Sequence, residues 1–248
     1  MKRRGRIAVA FLLTLWLCGG DAPGDAQMPL RCGHFTQTEL PSPSPRQNGH
    51  ARARFDEINA AVKNQPYRVL FFGDSITEGF DEGVWREHMA PRGVLNAGIG
   101  GDRTDHLQWR LEHGNLDGPP PQGIVLLIGT NDLGYGRPVD AAAEGIRANL
   151  LKLRQRVPGA AILLLGLWPR DDVPRIVERH EIAAVNRLIE TCSDGTTIRY
   201  ANLGPLLLEP DGRLSPQISP DRLHFTAQGY ARLAPALDRD IDAMLGGR

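Results

Sequence analysis

What this 248-residue sequence lacks narrows the field first. Lysines plus arginines and aspartates plus glutamates both number 29, so the formal charge at pH 7 is zero. No global field favours nucleic acid or an anionic membrane surface. Cysteines number only three, and none has a second cysteine or a histidine at ligand spacing, which argues against a zinc site, and no metal ligand is assigned. The apolar run over residues 7–17 is too short to span a bilayer comfortably. There is no internal repeat. Function must therefore be sought in local constellations of side chains.

What is present begins with a leader. Lys2, Arg3, Arg4 and Arg6 precede the short apolar run, and small residues at Gly24 and Ala26 offer a cleavage site before Gln27. Residues 1–26 thus read as a secretory signal peptide, and the mature chain is expected to be exported, periplasmic or secreted, with no integral membrane span. An uncleaved anchor is the rival reading. A lipoprotein signal at Cys18 would want a small residue before it and finds Leu17. Once the leader is removed, Cys32 and Cys192 are the remaining thiols in a chain bound for an oxidising compartment. A disulfide and two free buried cysteines are both compatible with that, because sequence gives no distance.

Residues 27–50, Pro/Ser-rich over 41–49, read as an extended N-terminal arm, and residues 51–248 as one folded domain. Phe55, Ile58, Ala61 and Val62 recur at helical spacing over 51–64. A continuous apolar run over 67–72 follows, reading as a buried strand. The alternation recurs, with strand-like runs at 94–96, 124–128, 161–167 and 198–201. Helical patterns lie near 82–90, 103–112, 140–156 and 176–192, and a last helix is expected at about 226–245 with Thr226 as N-cap. Strands buried on both faces and separated by helices define an α/β protein. The expected architecture is a three-layer α/β/α sandwich around a mostly parallel five-stranded sheet, flavodoxin-like. In such sheets functional groups collect at the carboxyl ends of the strands. Three strands end in polar, glycine-containing turns: Gly73-Asp74-Ser75, residues 96–102, and Gly129-Thr130-Asn131-Asp132.

These turns can serve one chemistry. A serine hydroxyl becomes a good nucleophile only when a base takes its proton and donors await the oxyanion. Ser75 directly follows a strand, after a glycine that permits a tight turn, and its own N–H can face an oxyanion. Glycines before Asp102 let another N–H approach the substrate without a Cβ in the way, and Asn131 adds a neutral side-chain donor. Near the other end, Asp221 stands three residues ahead of His224. A carboxylate on Nδ1 would fix the tautomer so that Nε2 faces Ser75.

Gly-Asp-Ser-Ile-Thr, the Gly101 turn, Gly-Thr-Asn-Asp and Asp-x-x-His also occur in the order of the sequence blocks of the SGNH, or GDSL-type, hydrolases, and the chain resembles that superfamily over residues 68–245. Within it, the chain is similar to the catalytic subunits of platelet-activating factor acetylhydrolase and their bacterial relatives. That likeness is carried by Val84-Trp85-Arg86-Glu87, residues 95–102, Trp109-Arg110-Leu111-Glu112 and Gly166-Leu167-Trp168-Pro169-Arg170. The resemblance implies a serine ester hydrolase, needing no cofactor, with Ser75, Asp221 and His224 as catalytic triad. The Ser75 N–H, the Gly101 N–H and the Asn131 side chain would be the oxyanion donors, and Asp74 would brace the nucleophile turn. The expected partner is a small acyl ester, acetyl esters foremost, on cell-wall or other carbohydrate or on a small lipid. The resemblance says nothing of oligomeric state.

Two rival readings stand beside this one: a metal-dependent phosphoesterase built on Asp74, Asp102, Asp132 and Asp221, and a carbohydrate-binding module that has lost turnover. Asp102 and Asp132 read as local hydrogen-bond anchors. Glu78 and Asp81 are expected to be solvated. His34 and His50 fall in the arm, and His88, His106, His113 and His180 are expected at the surface. Trp168 follows a strand and could reach the rim of the site, as could the polar loop Arg170-Asp171-Asp172.

Overall fold

The computed structural model describes residues 30–33, 38–171 and 177–246. The expected leader and its expected cleavage site before Gln27, together with His34 and Asp172, lie outside these residues. The five apolar runs all form strands: β1 (Val69–Gly73), β2 (Val94–Gly98), β3 (Gly123–Leu127), β4 (Ala161–Leu165) and β5 (Ile198–Ala201). They form one sheet in the order β2-β1-β3-β4-β5 with every pairing parallel. Each position of β1 and β3 is buried, which explains why they read as unbroken apolar runs rather than alternating ones.

The helices are α1 (Gly49–Asn64), α2 (Ser75–Glu78), α3 (Glu82–Val84), α4 (Thr104–Glu112), α5 (Thr130–Gly134), α6 (Val139–Arg156), α7 (Val177–Glu190) and α8 (Ala227–Gly246). The chain leaves β1 toward β2 and then returns past β1 to β3. Right-handed crossovers therefore send successive connections to opposite faces. In agreement, α4, α6 and α7 pack in series, while α3 packs against α8, which also contacts β3 and β4. The reversal makes the carboxyl ends of β1 and β3 a topological switch point, where a crevice is expected.

Three details depart from the sequence reading. The pattern near 82–90 is not one helix: α3 passes into a π-helical turn, Trp85–Met89, and then a 3-10 turn, Ala90–Arg92. Pro91, which has no N–H to donate, stands in the way of a regular ladder. α1 begins at Gly49, inside the stretch assigned to the arm, because Asn48 caps it by accepting from the Ala51 N–H at 2.7 Å. Trp168, 1% exposed, is a core residue packed edge-on against Phe225 and Tyr230 and does not reach a rim. Thr226 caps α8 as expected, its hydroxyl accepting from the Gly229 N–H at 3.3 Å. Cys32 and Cys192 are joined in a disulfide. Among the described residues no helix is long and apolar enough to cross a membrane.

Candidate active site

Ser75 opens α2 immediately beyond β1. The turn demands glycine at position 73, since a Cβ there would collide with the Thr77 side chain and come within 2.7 Å of the Leu127 carbonyl. Asp74 caps α2, its Oδ1 accepting the Ile76 N–H at 2.9 Å. Only 1% exposed, its carboxyl is pushed up to about 7 by burial, against the pull of the Ile76 amide and with help from the charges of Asp102 and Asp132. Its contacts are those of a brace for the turn.

The loop before α8 brings its two residues to the serine. Ser75 Oγ lies 2.8 Å from His224 Nε2, and His224 Nδ1 lies 2.7 Å from Asp221 Oδ2. The other oxygen of Asp221 accepts the N–H groups of Leu223, at 3.0 Å, and His224, at 2.8 Å. Partial burial alone would raise the Asp221 carboxyl, but the His224 ring and these two amides outweigh it and hold the group down at about 2. Asp221 therefore stays ionised at any pH near neutrality. Arg222, between them, has a φ of 66°, and its carbonyl accepts the Asp171 N–H at 2.9 Å, tying the loop to the segment after β4. Tyr230 on α8 donates to the Ile76 carbonyl at 2.7 Å, fastening the histidine side of the site to the serine side.

The candidate oxyanion donors converge on the same edge. A Cβ on Gly100 would lie 3.8 Å from Ser75 Cβ, so the loop over residues 99–102 rests against the nucleophile. Gly101 has a φ of 75°, a conformation open to glycine at little cost. Among the described residues, no hydrogen bond uses the Ser75 or Gly101 N–H. Asn131, on α5 just beyond β3, spends one side-chain N–H on the Asp102 carbonyl at 2.9 Å, which orients the amide and leaves its second N–H available.

Behind this edge the aspartates go to separate partners. Asp102 pairs with Arg110 at 2.7 Å, both nearly fully buried; Arg110 also donates to the Gly73 carbonyl at 2.9 Å and to Asn115 at 2.8 Å. Burial pushes the Asp102 carboxyl up to about 6, in spite of the opposing Arg110 charge. Asp132 accepts from the Thr104 N–H, the Thr104 hydroxyl and Arg137. Asp102 and Asp132 are thus anchors, as their position suggested. Among the described residues no three His, Cys, Asp or Glu side chains gather where they could hold a metal ion.

Two expectations are corrected here. Glu78 is not simply solvated: its Oε2 accepts the Gly100 N–H at 2.6 Å and its Oε1 meets His50 Nε2 at 2.8 Å. His106, expected at the surface, is 6% exposed, and burial lowers its imidazole to about 4. The residues missed from sequence, Glu78, Arg110 and Tyr230, support the site rather than enter it. Arg110 stood in one of the stretches that carried the resemblance, the one available signal for it.

A parallel α/β/α sheet with this constellation at its switch point defines an ester hydrolase. Residues 71–232 match the GDSL-like Lipase/Acylhydrolase family, and the chain belongs to that family. It is 32% identical to platelet-activating factor acetylhydrolase IB subunit alpha1 of Bos taurus over 201 residues, covering 79% of this chain and 85% of that one. It is 35% identical to the alpha2 subunit of Homo sapiens over 189 residues, covering 74% and 80%. Among solved structures it is similar to a GDSL-like lipase from Bacteroides thetaiotaomicron, with a TM-score of 0.64 at 23% identity over 77% of this chain and 96% of that one. An acetylxylan esterase from Geobacillus stearothermophilus shares the fold with a TM-score of 0.55 at 20% identity, over 73% and 95%.

Proposed function

We propose that the chain is an exported serine esterase that removes short acyl groups, acetyl above all, through an acyl-enzyme on Ser75. The observation that carries this reading is the continuous hydrogen-bonded line from Ser75 Oγ through the His224 ring to Asp221. Ser75 Oγ attacks the acyl carbonyl as its proton passes to His224 Nε2, and ionised Asp221 steadies the imidazolium through Nδ1–H. The carbonyl oxygen, now negative, takes the N–H groups of Ser75 and Gly101 and the spare N–H of Asn131. The imidazolium returns its proton to the departing alcohol oxygen as the C–O bond breaks. Water, deprotonated by His224, then attacks the acyl-serine; as its C–Oγ bond breaks, His224 returns the proton to Ser75 Oγ and the acid is freed.

The openness of the site supports a small acyl group on a large alcohol: the side chains of His224 and Asp221 are 46% and 56% exposed. The names of the relatives, acetylhydrolase and acetylxylan esterase, point to acetyl as well. Export is supported by the basic and apolar leader and by the disulfide.

A panel of p-nitrophenyl esters from acetate to palmitate, run beside acetylated xylo-oligosaccharides and acetylated glycerolipids, tests the reading. From acetate to octanoate kcat/KM should fall at least about tenfold, because the exposed His224 and Asp221 side chains leave surplus methylenes beside them in water. Faster cleavage of palmitate would overturn the short-acyl reading, and failure of a fluorophosphonate probe to label Ser75 would overturn the serine mechanism. The two acetylated substrates decide whether the alcohol is sugar or lipid.

Asn131→Ala provides a separate check on the oxyanion assignment. A donor that tightens only as the carbonyl becomes tetrahedral should act on kcat, lowering it on the order of 10²-fold, or about 3 kcal/mol of barrier, with little change in KM. Asn131→Asp should be no better, since it puts negative charge where negative charge develops. Unchanged kcat with a raised KM would reduce Asn131 to a substrate-binding residue.

A further inference from the structure

Arg46 lies in the N-terminal arm, 55 positions from the loop that carries the candidate oxyanion donor Gly101, yet its Nη1 donates to the Gly101 carbonyl at 2.8 Å. The guanidinium lies flat against that residue: a Cβ on Gly101 would stand 2.7 Å from Nη2. We propose that Arg46 is a positioning residue for the oxyanion loop, and that residues 38–50 of the arm form a strap holding that loop in register with Ser75. The proposal rests on the reading of Ser75 and Gly101 given above.

The loop needs such a tie. Two consecutive glycines, one at positive φ, give it more conformational freedom than any other dipeptide would. An oxyanion donor is effective only when it is already in place as charge develops. The neighbours within the sheet edge fix parts of the loop: the Ile99 N–H donates to the Gly73 carbonyl, the Gly100 N–H to Glu78, and Asn131 to the Asp102 carbonyl. The Gly101 carbonyl is held instead by Arg46, through a charge-assisted bond, which is the stronger kind.

The arm is built to deliver that bond. At its far end Cys32 is joined to Cys192 just beyond α7, and the Gly33 N–H donates to Thr191 Oγ1 at 2.7 Å. Further along, Leu40 and Pro41 lie beside Thr104 and Gln108 of α4. At the near end His50, in the first turn of α1, grips Glu78, whose other oxygen holds the Gly100 N–H. The strap therefore reaches the loop twice, directly through Arg46 and indirectly through Glu78. Arg46 also borders a cavity of about 600 Å³ with Arg52, Phe55 and Trp109, so substrate binding is the competing role, and the kinetics must tell the two apart.

The test uses the exported chain with its disulfide intact, p-nitrophenyl acetate as substrate, and Arg46→Ala, Arg46→Lys and Ser75→Ala as variants. Arg46→Ala should lower kcat about tenfold with KM within twofold. Lysine, which keeps the charge and can still donate to the Gly101 carbonyl, should recover part of the loss, and millimolar guanidinium should restore part of it to Arg46→Ala. A kcat within twofold of wild type overturns the proposal, as does a raised KM at unchanged kcat, which would assign Arg46 to the substrate. Should Arg46→Ala not fold, Arg46→Gln, which keeps most of the side chain but loses the charge, carries the test: it should lower kcat with KM held, and wild-type kcat there overturns the proposal. An inactive Ser75→Ala beside an unimpaired Arg46→Ala sinks the strap alone, whereas an active Ser75→Ala sinks the site reading on which it rests.

Discussion

Ser75→Ala should lower kcat for p-nitrophenyl acetate on the order of 10⁴-fold or more, His224→Ala by a similar factor, and the double variant by no more than either alone. The non-additivity is the informative part. Ser75 Oγ and His224 Nε2 are 2.8 Å apart, and a nucleophile without its base, or a base without its nucleophile, performs none of the proton transfer that defines the step. What survives should be the rate supplied by the oxyanion donors and by binding. Neither substitution should disturb folding, because Ser75 is half-buried and His224 is exposed on a loop whose shape is set by the amides on Asp221. Burst kinetics with matched circular dichroism spectra would measure both points. A double variant losing the product of the two single factors would mean that the residues act independently, contrary to a triad.

Arg110→Met should destabilise the fold by about 3–5 kcal/mol at pH 8, the cost of leaving a buried charge without its partner. Arg110 is 2% exposed and Asp102 1%. With the guanidinium gone, Asp102 is stranded, and the Gly73 carbonyl and Asn115 each lose a donor. Burial already lifts the Asp102 carboxyl to about 6 while Arg110 pulls the other way, so removing Arg110 raises it further. A carboxyl whose folded value lies above its unfolded one costs stability as pH rises through that range. The deficit of Arg110→Met should therefore shrink as pH falls toward 5, where Asp102 takes up a proton and needs no counter-charge. Urea unfolding at pH 8 and pH 5 measures this, and a variant within 1 kcal/mol of wild type at pH 8 would show that the pair is dispensable to the fold.

The parts of the molecule legible in sequence were those whose signal is local. The run containing Leu70, Phe71 and Phe72 is apolar at each position because both faces are covered, and Asp221 and His224 sit within one turn. Ser75, Gly101 and Asn131 each follow a strand, so their shared edge followed from the alternation of elements. What stayed hidden depends on where distant segments come to rest. An arginine on a helical pattern reads as surface, and only the fold turns Arg110 inward to the Gly73 carbonyl. Glu78 sits near His50 and Gly100 because β1 and β2 pair in register, and His106 is buried because α4 packs on α6. The fate of Cys32 and Cys192, 160 positions apart, hung on a distance that no spacing rule supplies.

The site is also split along the chain, with the serine early, the histidine 149 positions later, and Tyr230 closing the two together only when α8 docks. On the mechanism proposed above, a chain still emerging from the ribosome carries the serine without the histidine that would activate it, and is expected to be chemically silent. Hydrolytic power would arrive last, with the final loop and helix, so the cell that makes the enzyme would handle an inert polypeptide until folding is complete.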